Sequence, residues 1–298
     1  MNEQVGKSPE DDVGFIAARH SIKPKKGEPG SEEYPGISEE GIELARESAA
    51  SWVDYLKNTE PGTVLFMAGA SDQIRTKSTM EAITAGIKEQ VAAQGLDVPV
   101  YDRQDIIARG TGVSERIKSL TGELQSQSER TAVVSFPMFL SNLGVGGEDK
   151  FLEKDGTLTP YSKDLMARNE NNDQRCVASW IQEQGRHEDL VGPNPTEIAT
   201  DQLKGVQRLW EFARRQLPGR RIVIGAVGHS WTLDALATFV ANNGQVTPEG
   251  FQKIGGQMIK ETQPMRLEMD AHGAKFYYAD QEFDVPLEGE EEGEGQKE

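Results

Sequence analysis

A single cysteine, Cys176, in a chain of 298 residues excludes an internal disulfide framework and fits a reducing compartment. Its setting, RCVASWI, reads as that of a buried structural thiol. No apolar stretch reaches the length of a membrane span, and the opening MNEQVGKSPEDD lacks the apolar centre of a secretion signal. The expectation is a soluble, cytoplasmic protein with no membrane partner. Positive charge is short as well: 32 Lys and Arg against 49 Asp and Glu give a formal net charge of -17. Nucleic acids and acidic membranes are held by cations clustered over a face, so neither is an expected partner. An anion site in this chain has to be a local pocket. No internal repeat is present.

The ends divide from the middle by composition. Residues 1–12 are polar and read as a flexible N-terminus. Residues 286–298 hold Glu288, Glu290, Glu291, Glu292, Glu294 and Glu298 among Gly289, Gly293 and Gly295, and such a run cannot bury apolar area. It reads as a solvated, disordered acidic tail. Residues 13–285 then form one domain, with residues 121–195 expected to be an insertion.

Within that domain, strand and helix signals alternate. Val13 to Ala18 is a short apolar run suited to a buried parallel strand, and it delivers Arg19-His20 at its carboxyl end. A loop rich in Pro and Gly follows, carrying Lys23, Lys25 and Lys26. Ser38 with Glu39 and Glu40 is an N-cap pattern opening an amphipathic helix to about Lys57. Thr63–Ala68 reads as a second buried strand, and the helix after it carries Arg75 in its first turns, where backbone N–H groups favour anions. Val98–Tyr101 is a short strand, at an edge because of Pro99. The segment from 121 to 195 contains an apolar run from Thr131 to Leu140, glycines 144, 146 and 147, and a helix around Met166 to Gln184. Its cations Lys150, Lys154, Arg168 and Arg175 could meet a charged substrate. Asn194-Pro195 starts a further helix, and Arg221–Val227 is the clearest strand in the chain, delivering Gly228-His229-Ser230. Met265–Glu268 and Lys275–Tyr278 could make a final hairpin.

Three strand–loop–helix units thus put Arg19-His20, Arg75 and His229 at equivalent places. In a parallel α/β arrangement with right-handed crossovers these tips share one edge of the sheet, the edge where ligands bind. Two arginines and two histidines around one point suit phosphoryl chemistry. Guanidinium forks bind phosphate oxygens in pairs. One imidazole nitrogen can attack phosphorus while the other is held by a backbone carbonyl, and the second imidazole can face the equatorial oxygens. A metal site is a poor match, because no carboxylates stand at ligand spacing and two arginines lie beside the histidines.

In these residues the sequence resembles the histidine phosphatase superfamily, also called phosphoglycerate-mutase-like. The family shows a first strand ending in Arg-His-Gly, a Leu-Thr-x-x-Gly helix start, a Ser-x-x-x-Arg helix, and a late strand ending in a small residue and His. The counterparts are Arg19-His20-Ser21, Ile37-Ser38-Glu39-Glu40-Gly41, Ser71-Asp72-Gln73-Ile74-Arg75 and Gly228-His229-Ser230. The resemblance covers about residues 13–108 and 195–242. It implies a three-layer α/β/α sandwich with a mostly parallel sheet and a helical cap. It further implies metal-independent phosphomonoester hydrolysis with no cofactor: His20 attacks phosphorus, and Arg19, Arg75 and His229 hold the phosphoryl oxygens. A phosphorylated small molecule or a phosphopeptide is the implied substrate. The chain departs from the pattern in two places. Ser21 replaces a glycine and could crowd or bond the phosphate. Ala108 stands where many members carry the general acid, which makes Asp105 the nearest candidate, with Asp102 and Glu115 as rivals. A phosphomutase, and a phospho-ligand or protein-binding module without the acid, remain as alternatives.

Overall fold

The computed structural model describes residues 13–25, 27–71, 73–136, 147–270 and 273–285. The N-terminal segment, Lys26, Asp72, the end of the apolar run with Gly144 and Gly146, and the acidic tail lie outside the described residues. The chain runs β1 (Val13–Arg19), α1 (Glu39–Lys57), β2 (Val64–Ala70), α2 (Ile74–Ala93), β3 (Val100–Tyr101), α3 (Arg103–Ile107), α4 (Val113–Ser126) and β4 (Ala132–Ser135). It continues through α5 (Pro160–Arg168), α6 (Asp173–Glu183), the short pair β5 (Arg186–His187) and β6 (Leu190–Val191), α7 (Pro195–Gln216), β7 (Ile222–Gly228), α8 (Ser230–Ala241) and α9 (Pro248–Lys253). β8 (Pro264–Asp270), β9 (Gly273–Tyr278) and β10 (Gln281–Val285) complete it.

Eight strands form one sheet in the order β10-β9-β8-β1-β7-β2-β4-β3. The pairs from β1 through β7, β2 and β4 to β3 are parallel, and β8 to β10 extend the sheet antiparallel beyond β1. The central strands are apolar throughout because each face has its own core. Successive side chains of a strand point to opposite faces: Phe15 and Ala17 join one core with residues of α7 and α8, while Ile16 and Ala18 join the other with residues of α1 and α2. This is the expected three-layer α/β/α sandwich with a mostly parallel sheet. The first loop reaches α1 closely enough that a Cβ on Gly41 would lie 2.5 Å from the Ile22 carbonyl, so only glycine fits there. Ser38 caps that helix by accepting from the Gly41 N–H.

The segment read as an insertion at 121–195 divides differently. Its first part completes α4 and then supplies β4, a fully buried strand between β2 and β3; four apolar or small residues in a row give no periodicity by which to tell a strand from a connecting run. Its helical part, α5 and α6, packs beside the first turn of α8, with Trp231 5.3 Å from Phe151 and 6.4 Å from Trp180 between ring centroids. Lys150, Arg168 and Arg175 pair with carboxylates, respectively Asp201, Asp164 with Glu183, and Glu170. The C-terminal hairpin gains a third strand, β10.

The antiparallel extension is fastened to α8 by one buried carboxyl group. Asp234, fully buried, accepts from the Ile259 N–H at 2.9 Å and from the Tyr278 hydroxyl at 2.8 Å. Burial pushes its pKa up to about 7, against the pull of those two hydrogen bonds and of Arg19. A carboxyl whose folded pKa lies above its unfolded one keeps its proton in the fold while the unfolded chain loses it, so its contribution to stability falls as pH rises from about 4 to about 7. Asp234→Asn cannot titrate. Denaturant unfolding across that range should show the variant gaining on the native chain by up to ~4 kcal/mol as pH rises; parallel profiles would show that Asp234 titrates normally.

Candidate active site

β1 and β7 lie side by side in parallel register, with Arg19 opposite Gly228. The ladder continues one step further, where the His20 N–H donates to the Gly228 carbonyl at 2.9 Å. The next residues of the two strands, His20 and His229, therefore stand together: their ring centroids are 4.8 Å apart with planes at 63°, and both residues are buried. β2 reaches the same edge through a bulge between Met67 and Gly69, a device that re-aims the residues beyond it. It delivers Ser71, whose Oγ lies 3.1 Å from His229 Nε2.

The tautomers follow from the partners. His20 Nδ1 is 2.7 Å from the Ser21 carbonyl, which can only accept, so Nδ1 carries the proton and Nε2 keeps its lone pair. Arg75 Nη2 is 3.0 Å from His229 Nδ1. Guanidinium can only donate, so this nitrogen accepts and His229 donates from Nε2 to Ser71. Burial, with Arg75 and Arg19 nearby, drives the pKa of His20 down to about 3, although the Ser21 carbonyl opposes it. Burial, then Arg75 and His20, takes His229 down to about 2. Both imidazoles are neutral at neutral pH.

Ser21 does not crowd the pocket. Its hydroxyl donates to the Gly41 carbonyl at 2.6 Å and its N–H donates to Thr79 Oγ1, which turns the side chain toward the start of α1. Arg19 donates from Nη1 to the Ile259 carbonyl at 3.0 Å, and its Nη2 lies 2.9 Å from Glu261 Oε1. Its Nε is buried and has no partner among the described residues. Arg19, His20, Arg75 and His229 are thus brought to one edge, with Lys23 close enough to act on both imidazoles.

Asp105 is not joined to these four. It is the third residue of α3, closing a capping box with Asp102, and both carboxylates bind Lys88, at 2.8 Å for Asp102 and 2.9 Å for Asp105. Burial would raise Asp102, but Lys88 and the N–H groups of Asp105 and Gln104 hold it below the ordinary carboxylate range. Glu115 accepts from the N–H and hydroxyl of Thr111, and Ala108 is exposed at the end of α3. Among the described residues, Glu261 is a carboxylate that does touch a pocket residue, Arg19, and it comes from a stretch with no motif. Among the described residues no group of three or more His, Cys, Asp or Glu could hold a metal ion, and no helix is long and apolar enough to cross a membrane.

No family model matches the sequence, and no curated protein matches it. Solved structures similar to the chain include YhfR from Bacillus stearothermophilus, at 11% identity over 90% of this chain and 95% of that one, with a TM-score of 0.42. Another is a mycobacterial glucosyl-3-phosphoglycerate phosphatase, at 13% identity over 85% and 92%, with a TM-score of 0.40. A protein described as mycobacterial hydrolase 1 is similar at 11% identity over 91% and 99%, with a TM-score of 0.42. Likenesses this remote say nothing of what the chain does, which has to be read from its own pocket.

Proposed function

We propose that the chain hydrolyses phosphomonoesters through a phosphohistidine formed on His20, the activity of the histidine phosphatase superfamily that its motifs resemble. The observation that carries this reading is the hydrogen bond from His20 Nδ1 to the Ser21 carbonyl at 2.7 Å. It keeps the Nε2 lone pair available, and the low pKa keeps it so at neutral pH. A buried neutral imidazole beside two arginines is suited to attack an anionic phosphoryl group, which the guanidinium forks draw in and orient.

In this mechanism Arg19 and Arg75 take the phosphoryl oxygens, and His229 faces the same group as charge redistributes in the transition state. Nε2 bonds to phosphorus as the ester P–O bond breaks. The Nδ1–H bond to Ser21 then stabilises the imidazolium, and water attacks phosphorus, releasing phosphate and restoring the Nε2 lone pair. The substrate is a phosphorylated small molecule or a phosphopeptide. No step calls for a metal.

With p-nitrophenyl phosphate and EDTA present, His20→Ala should lower kcat by at least about 1000-fold, and rapid quenching of the native enzyme should trap an acid-labile phosphoryl group that the variant lacks. Retained turnover in the variant would remove His20 as nucleophile; phosphate binding by the native chain without turnover would favour the binding-module alternative. The low pKa of His20 makes a second expectation. An imidazole neutral down to about pH 3 causes no loss of kcat/KM between pH 7 and 5, so on p-nitrophenyl phosphate, whose leaving group needs little protonation, the profile should be flat there once the substrate's own phosphate ionisation is divided out. A residual acid limb near 6.5 would show that the nucleophile titrates normally.

A further inference from the structure

A phosphatase acting on an alkyl ester has to protonate the leaving oxygen, and the carboxylates that the sequence offers for this on the β3 side of the sheet, Asp102, Asp105 and Glu115, are committed elsewhere. Asp102 and Asp105 bind Lys88 inside a capping box, Glu115 holds the Thr111 turn, and Glu81 on α2 is 3.5 Å from Arg103. On the opposite side of the pocket the connection between α9 and β8 brings one carboxylate into contact with a pocket residue. Glu261 lies in a bridge beside Arg19 at the tip of β1, and the following residue, Thr262, donates its N–H to the Arg19 carbonyl at 3.0 Å. Glu261 Oε1 is 2.9 Å from Arg19 Nη2, and the side chain is 37% exposed, so it stands at the rim and within reach of an incoming molecule.

The backbone there is held against its own preference. Thr262 is β-branched and buried, yet sits at φ +57°, a conformation that costs about 1–3 kcal/mol and persists only where the surroundings impose it. The surroundings that do so are the bond to Arg19 on one side and, three residues earlier, Ile259, whose N–H is held by Asp234 and whose carbonyl holds Arg19 Nη1. The strained turn fixes the backbone from which Glu261 reaches Arg19.

We propose that Glu261 is the general acid of the phosphoryl transfer, donating a proton to the leaving oxygen from the rim of the Arg19 site. This rests on the phosphatase reading. With Nη1 taken by the Ile259 carbonyl, the edge of Arg19 left for a phosphoryl group is the one formed by the buried Nε, which has no partner among the described residues, and by Nη2, and Glu261 shares Nη2. A phosphate monoester taking that edge displaces the carboxylate from its cation and sets a like charge beside it, and Glu261 takes one proton from solvent as the ester binds. In the first half-reaction the Nε2–P bond forms, the P–O bond to the leaving group breaks, and the Glu261 proton goes to that oxygen, leaving the alcohol and a carboxylate. In the second, water attacks phosphorus, its proton goes to the Glu261 carboxylate and the Nε2–P bond breaks; as phosphate departs, Glu261 returns that proton to solvent and pairs with Arg19 again, which restores the starting state.

The test compares an alkyl ester, glycerol phosphate, with p-nitrophenyl phosphate, whose leaving group needs little protonation. Glu261→Gln should lower kcat on glycerol phosphate by at least about 100-fold and on p-nitrophenyl phosphate by only a few fold, with Tm unchanged. Asp105→Asn should leave the ratio of the two rates as in the native enzyme. Glu261→Asp, which keeps the carboxyl but withdraws it, should give an intermediate loss confined to the alkyl ester, and it serves where the glutamine variant does not fold. Equal losses on both esters in the Glu261 variants, or a loss selective for the alkyl ester in Asp105→Asn, would overturn the assignment while leaving the phosphatase reading intact. A His20→Ala variant as active as the native chain would overturn that reading and this one together.

Discussion

The hydrogen bond from His20 N–H to the Gly228 carbonyl is the constraint on which the site depends. Parallel pairing of β1 with β7 puts Arg19 opposite Gly228, and one further rung carries that register past the formal end of both strands. Residues that are 209 positions apart in the chain become neighbours because the ladder leaves them no other place. The strands can hold this register because both faces are buried: a slip of one residue would exchange the Phe15 and Ile16 faces between two cores of different composition. Packing energy in the layers thereby sets the spacing of two imidazole rings at the edge.

Electrostatics then decides what those rings are. In a chain of net charge -17 the pocket gathers Arg19, Arg75 and Lys23 around two buried histidines, a local reversal of the overall sign. Desolvation and the cations act in the same direction on an imidazole, so both rings lose their protons far more readily than in water. The backbone settles the rest: a carbonyl at one Nδ1 and a guanidinium at the other give the two histidines opposite tautomers, one presenting a lone pair at Nε2 and the other a proton. Two identical residue types obtain different capacities from single neighbouring atoms.

Much of this is legible in the sequence. Apolar runs ending in Arg19-His20 and Gly228-His229, and a helix start carrying Arg75, are signals of short range, and strand tips converge by topology alone. What is not legible depends on contacts that no local pattern encodes. β4 passes for part of an insertion because Ala132–Ser135 is too short and too uniform to show a period. Asp105 reads as a free carboxylate on a loop until Lys88, seventeen residues away on α2, is seen to bind it. The direction of Ser21 is set by the Gly41 carbonyl, and Glu261 lies in Lys260-Glu261-Thr262, where nothing announces that the chain will run along the tip of β1.

The antiparallel extension of the sheet therefore does more than cover an edge. Arg19 has its backbone in β1, yet its guanidinium is held by the connection before β8, through Ile259 and Glu261. That connection is fixed from below by Asp234 on α8, which also holds Tyr278 on β9. α8 begins at Ser230, immediately after His229, so the element that carries one imidazole also positions the arginine beside the other. A displacement of α8 would move His229, Ile259 and Arg19 together rather than separately. The pocket keeps its geometry because its parts share one support, and a buried carboxyl with a raised pKa is the cost of that arrangement.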